Sequence, residues 1–125
     1  MIKWRIKSTE INYTKKLPPE QIKQFEAKLI AEYLGEKSYK IALDVLGMAA
    51  DSHEFANLIS KNSTINKSID FIIGGAFGLD STVLDLVNIR LSLSPLTMPH
   101  QIAKIVLLEQ IYRAQTIIQN HPYHK

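Results

Sequence analysis

The chain has 125 residues, 46% of them apolar and 22% charged, with a formal net charge of +3, which suits one globular domain with a modest core. It contains no cysteine, so disulfide scaffolds, thiolate zinc sites and cysteine nucleophiles are excluded together, and a reducing compartment such as the cytoplasm is expected. No apolar run approaches the roughly 20 residues of a membrane helix, and no apolar segment follows the charges of Lys3, Arg5 and Lys7, so neither a span nor a secretory signal is expected.

Trp4–Ile11 alternates loosely and reads as a strand. Leu17-Pro18-Pro19-Glu20 is a turn into a helix, because proline suits the first helical turn. Ile22, Phe25, Leu29, Ile30 and Tyr33 would then share the buried face, with Lys23, Glu26, Lys28 and Glu32 toward water and Gly35 ending the helix. Residues 1–40 carry nine Lys/Arg against five acids, whereas residues 41–125 carry six against seven. The basic first third favours an anionic partner; a solvated helix face is the competing reading.

Tyr39–Leu43 is a short buried strand, followed by a loop at Asp44-Val45-Leu46-Gly47. Asp51 and Glu54 have the spacing of a capping box ahead of Phe55, Leu58 and Ile59 on a helix, on whose exposed face His53 carries no role. Asn62–Lys67 reads as polar and irregular, Ile69–Ile73 as a buried strand, and Asp80–Asn88 as a short helix. Ile89, Leu91 and Leu93 alternate with Arg90 and Ser92 as a further strand. His100–Ile118 is the strongest helix, with Ile102, Ile105, Val106, Ile111 and Tyr112 as its apolar stripe. Strands alternate with helices, so the fold class is α/β with a largely parallel sheet, in a single domain over residues 1–125.

Two strand-to-helix connections and the terminus carry candidate chemistry. Gly74-Gly75-Ala76-Phe77-Gly78 lets the backbone approach a ligand closely, although the spacing is neither a dinucleotide fingerprint nor a phosphate loop, and a tight turn explains it as well. In Ser94-Pro95-Leu96-Thr97-Met98-Pro99-His100, Thr97 or a neighbour can cap the helix, or the loop can grip a polar ligand through its main chain. Glu109 and Arg113 stand four apart and suit a surface ion pair. His121, Tyr123 and His124 follow the last helix; they read either as a frayed end or as rings and cations suited to an unpaired base. Their spacing is not that of a zinc site, and no metal is expected.

Taken in order, FIIGGAFGL at Phe71–Leu79, LSLSPLTMPH at Leu91–His100, LLEQIYR at Leu107–Arg113 and the closing HPYHK resemble SPOUT-class methyltransferases of the RlmH or YbeA type, which modify large-subunit ribosomal RNA. Leu17-Pro18-Pro19-Glu20-Gln21 and Ile41-Ala42-Leu43-Asp44 match as well, so the resemblance runs from about Trp4 to Lys125. It implies a homodimer with a C-terminal trefoil knot. It also implies methyl transfer from S-adenosylmethionine to N3 of a pseudouridine in 23S ribosomal RNA, on the assembled ribosome.

Carried over by residue, the resemblance implies a cofactor pocket of Leu43, Gly74, Ser94, Pro95, Leu96, Thr97, Met98 and Pro99, with Gly75 and Leu93 adjoining. It implies an RNA-side edge in which Arg113, His121, Tyr123 and His124 are catalytic candidates and His100, Arg113 and Tyr123 contact substrate, the tail of one subunit serving the other's cofactor. Family members open with a further strand of hydrophobic–Val-Gly-Lys form and a helix, and the chain is expected to lack that unit. This departure leaves a second expectation, a non-catalytic remnant that dimerises or binds ribosomal RNA. A flavodoxin-like nucleotide-binding module also fits the composition but leaves the tail unexplained.

Overall fold

The computed structural model describes residues 4–8, 18–34, 37–65, 68–74 and 78–124. Parts of several expectations fall outside them, namely residues 9–11 of the first strand, Leu17, Gly35, residues 75–77 of the glycine turn and Lys125. In chain order the elements are β1 (Trp4–Ser8), α1 (Pro19–Tyr33), β2 (Tyr39–Ala49), α2 (Ser52–Ile65), β3 (Ile69–Ile73), α3 (Ser81–Leu84), β4 (Ile89–Ser92) and α4 (His100–Ile118). The four strands form one sheet in the order β1-β3-β2-β4, with every pairing parallel, as the alternation of strands and helices predicts.

The sheet is covered on both faces, and strand alternation decides which residue faces which layer. Ile69, Phe71 and Ile73 of β3 join Ile41 and Leu91 against Phe55, Ala56 and Ile59 of α2 and Leu107, Ile111 and Ala114 of α4. Ile72 points the other way, into a smaller core with Ala27 and Ile30 of α1 and Val83 of α3. Asp70 shares that second face and is fully buried. Both its carboxylate oxygens accept from Arg5, at 2.9 and 3.0 Å, and Oδ2 also accepts from the Ser38 hydroxyl at 2.7 Å. The carboxylate in turn holds the Arg5 guanidinium above its usual pKa, through the hydrogen bond first and its charge second.

Several local expectations are met. Pro19 sits in the first turn of α1, and Asp51 with Glu54 closes a reciprocal capping box. The Glu54 N–H donates to Asp51 Oδ1 at 2.8 Å, and the Asp51 N–H to Glu54 Oε1 at 3.0 Å. Others are corrected. α2 runs on to Ile65, so Asn62 is helical; its side-chain amide donates to the Leu58 carbonyl at 2.8 Å.

On α1 the buried positions are Glu26, Ala27 and Ile30, while Phe25 is 51% exposed and Leu29 also faces outward. On α4 the sheet takes Leu107, Ile111 and Ala114, leaving Ile102, Ile105, Leu108 and Tyr112 outside. Both helices have more apolar residues than one face needs, so periodicity alone mixes two faces: Ile30 and Ile111 of the expected stripes are buried, whereas Phe25, Leu29, Ile102, Ile105 and Tyr112 are exposed.

Asp44–Gly47 is not a loop that ends β2. Leu43 and Met48 both pair with Leu91, so these four residues bulge out of the strand before it resumes. The bulge lies flat on β4: a Cβ on Gly47 would come within 2.7 Å of the Arg90 carbonyl carbon. An Asx turn shapes its tip, the Leu46 N–H donating to Asp44 Oδ1 at 3.0 Å. Leu46 is left 89% exposed.

Candidate functional site

The bulge of β2 and the C-terminal ends of β3 and β4 open onto one cleft of about 370 Å³, within the usual size range of small-molecule sites. Leu43, Asp44 and Val45 enter it from β2, Ile73 and Gly74 from β3, and Leu93, Ser94, Leu96, Thr97 and Met98 from the chain after β4. Gly78, Leu79, Leu84, His100 and Ala103 complete the wall. Its surface is largely aliphatic, with polar groups from Asp44, Ser94, Thr97 and His100, which suits a ligand combining a flat apolar ring with a polar arm.

Of the expected cofactor residues, Leu43, Gly74, Ser94, Leu96, Thr97 and Met98 line this cleft, and Pro95 and Pro99 do not. Pro99 is the N-cap of α4; its carbonyl accepts from the Ala103 N–H at 2.9 Å and no side chain caps the helix, which corrects the expectation of a side-chain cap from Thr97 or a neighbour. The loop is shaped by its serines instead: the Ser92 hydroxyl donates to the Ser94 carbonyl, and Ser94 Oγ accepts from the Leu96 N–H, both at 3.1 Å.

At Gly74 an added Cβ would lie 2.9 Å from the Gly78 carbonyl carbon and from Leu79, so glycine is required there by the returning chain. Gly78 closes that turn in the left-handed region, at φ 81°.

Residues 119–124 fold back in an ordered closure rather than fraying. After Ile118 the helix closes with the Gln119 N–H on the Gln115 carbonyl at 3.1 Å, Asn120 at φ 57° and the His121 N–H on the Thr116 carbonyl at 2.8 Å. The chain then folds back onto α4. Arg113 is the hub: its Nη2 and Nε lie 2.7 and 2.8 Å from Glu109 Oε1. Its Cζ lies 4.9 Å from the centre of the Tyr123 ring, and its Nη1 lies 3.1 Å from His124 Nδ1. Tyr123 also packs edge-on against Tyr112, with centroids 4.8 Å apart. Glu109 raises the Arg113 pKa above its ordinary value, first by hydrogen bonding and then by charge.

The ion pair expected from the four-residue spacing is therefore present, but its arginine also secures two tail residues. His121 remains exposed, its Nδ1 accepting from the Tyr123 N–H at 3.3 Å.

His53, read from the sequence as having no role, meets His124 edge to face, with ring centroids 4.9 Å apart and planes at 87°. Nothing in the sequence could signal this, because only the packing of α2 on α4 brings the two together.

Tail and cleft stay apart within one chain: His121, Tyr123 and His124 are absent from the cleft wall, whereas His100 belongs to it. Arg113 lies thirteen residues beyond His100 on the same helix, roughly 20 Å along its axis. Among the described residues no group of three or more His, Cys, Asp or Glu side chains is placed to hold a metal ion, and no helix is long and apolar enough to cross a membrane.

The chain is similar to proteins named ribosomal RNA large subunit methyltransferase H. It is 46% identical to that of Clostridium botulinum (strain Okra / Type B1) over 105 residues, which are 83% of this chain and 66% of that protein. It is 43% identical to the one from Malacoplasma penetrans (strain HF-2) over 106 residues, 85% and 67% of the two chains. The protein from Acholeplasma laidlawii (strain PG-8A) is 46% identical over 101 residues, 80% and 69% of the two. The chain thus spans about two thirds of the length of the curated relatives it matches. A family model described as predicted SPOUT methyltransferase matches residues 2–124, and with the parallel α/β sheet this establishes that the chain belongs to the SPOUT methyltransferases.

Proposed function

We propose that this chain transfers a methyl group from S-adenosylmethionine to N3 of a pseudouridine in 23S ribosomal RNA, acting on the assembled ribosome in the cytoplasm as a homodimer. The observation that carries the reading is the cleft, which gathers Leu43, Gly74, Ser94, Leu96, Thr97 and Met98 from three separate segments of the chain. Its volume and its mixture of aliphatic wall and polar rim fit a purine joined to an amino-acid arm. Family membership and the names of the relatives support the reaction class and the RNA. Family membership also supports a trefoil knot in the C-terminal half.

S-adenosylmethionine supplies an activated methyl on a sulfonium sulfur. What remains for the protein is alignment of the accepting nitrogen, loss of its proton and exclusion of water, and alignment alone can contribute several kcal/mol, roughly 7–11 in the best cases. The loop Ser94–Met98 and Gly74 would hold the cofactor mainly through backbone groups. Arg113, Tyr123 and His124 would receive the RNA: Tyr123 offers a face for stacking, while Arg113 and His124 offer donors for the charge that develops when N3 loses its proton. Since these groups lie well away from their own cleft, the tail of one subunit would act at the cleft of the other. The exposed stripe of Ile102, Ile105 and Leu108 supports such a dimer, since it leaves apolar surface uncovered on an otherwise packed helix.

Calorimetry with S-adenosylhomocysteine tests the core of the proposal. One site per subunit is expected, and Gly74→Val should abolish it by driving the Gly78–Leu79 turn out of the wall. Undiminished binding in a folded Gly74→Val variant would put the cofactor elsewhere. A chain that binds the cofactor but transfers no methyl group to ribosomes lacking this modification would favour the non-catalytic reading.

A further inference from the structure

The contact between His53 and His124 lies outside the cofactor cleft and joins α2 to the tail. His124 Nδ1 lies 3.1 Å from Arg113 Nη1. An arginine can only donate, so Nδ1 must present its lone pair and the ring proton of a neutral His124 must sit on Nε2. Arg113 itself is held by Glu109 on one side and by the Tyr123 ring below, so its Nη1 has a defined direction. One hydrogen bond still leaves the imidazole free to swing about the Nδ1 contact. The perpendicular ring of His53, at 4.9 Å on the first turn of α2, removes that freedom.

We propose that His53 is a positioning residue: with Arg113 it holds His124 as the Nε2–H tautomer, so that one N–H donor of fixed direction is offered to the pyrimidine carbonyl that gains charge as N3 gives its proton to a solvent hydroxide. His53 itself touches neither the cofactor cleft nor, in this proposal, the RNA. The inference rests on the methyl-transfer reading for its consequence, but its geometric part can be measured independently of turnover. The capping box formed by Asp51 and Glu54 anchors the turn on which His53 stands, and Ser52 ties that turn to α4 through its hydroxyl on Gln110 Oε1 at 3.0 Å. The histidine therefore stands on a rigid support, as a positioning group requires.

The test compares the full chain with His53→Ala and with His53→Phe, which retains a ring but no titratable nitrogen. Nitrogen-15 correlation spectra report the His124 tautomer whether or not the protein turns over. The full chain and His53→Phe should show Nδ1 unprotonated and Nε2 protonated, and His53→Ala should show a mixture. In methyl transfer to ribosomes lacking the modification, His53→Ala should lower kcat by about five- to tenfold, in keeping with the usual strength of an aromatic edge contact, with KM for S-adenosylmethionine within about twofold. His53→Phe should restore most of kcat.

An unchanged His124 tautomer in His53→Ala would overturn the positioning role. An unchanged kcat alongside an altered tautomer would overturn its link to the reaction. Should the full chain transfer no methyl group, the proposed function fails, and the spectra alone decide whether His53 orders His124.

Discussion

Removing Arg5 should destabilise the protein by far more than a surface ion pair would suggest. The Asp70 carboxylate is fully buried, and Arg5→Ala takes away two of its donors, with the Ser38 hydroxyl at 2.7 Å among the partners that remain. Breaking a fully buried pair costs about 3–5 kcal/mol, because the remaining charge loses its compensation. Here the arginine side chain is 48% exposed, so solvent already screens half of the pair and water can enter where the guanidinium was. Discounted for that opening and for Ser38, the expected loss is about 2 kcal/mol.

For a domain of this size, that corresponds to a fall in Tm of roughly 6–12 °C. Thermal unfolding followed by circular dichroism, at matched protein concentration because a dimer would make Tm concentration-dependent, measures it. Asp70→Asn in the Arg5→Ala background should recover part of the loss, since an amide carries no charge to leave stranded. Cofactor affinity should change little, because Asp70 lies three residues ahead of Ile73, roughly 10 Å from the cleft end of β3. A shift below about 2 °C for Arg5→Ala, with no coupling to Asp70→Asn, would refute the reasoning and reduce the pair to a surface contact.

Ile105, 62% exposed on α4, should become a dissociating position when charged. Sedimentation should give about twice 14.2 kDa for the full chain and a monomer for Ile105→Glu, which should retain cofactor binding and lose methyl transfer; a full chain that sediments as a monomer would refute the shared site. Deleting Pro122–Lys125 should leave S-adenosylhomocysteine affinity intact and remove methyl transfer, and an unchanged rate would make the folded tail a purely structural closure.

Asp80 caps α3, and the Thr82 hydroxyl followed by the Thr82 N–H holds its carboxyl below the ordinary value of 3.8. A lowered folded-state pKa means that the cap's contribution is full above the unfolded value and is lost as pH falls through the folded one. The Tm difference between the full chain and Asp80→Ala should therefore hold steady from about pH 7 to 5 and close below about pH 4. A difference that widens on acidification would contradict the sign.

What the sequence by itself determined is what local chemistry controls. The Asp51–Glu54 box, the proline at the start of α1, the run Ile69–Ile73 and the uninterrupted helix His100–Ile118 all depend on neighbours within a few residues, and all four stand where they are expected. Of the pocket expected from the blocks that resemble the family, Leu43, Gly74, Ser94, Leu96, Thr97 and Met98 line the cleft and Pro95 and Pro99 do not. Tertiary structure decided which of two apolar stripes each helix turns inward. Phe25 and Ile105 fit the helical period as well as Ile30 and Leu107 do, and only contact with the sheet separates them.

It also decided the pairs distant in sequence. Asp70 in an otherwise apolar strand signals nothing until β1 brings Arg5 alongside in register. His53 reads as an ordinary surface histidine until α2 lies across α4. Charges and rings of this kind act over a few ångströms, and packing of the elements places them within that distance regardless of their separation along the chain.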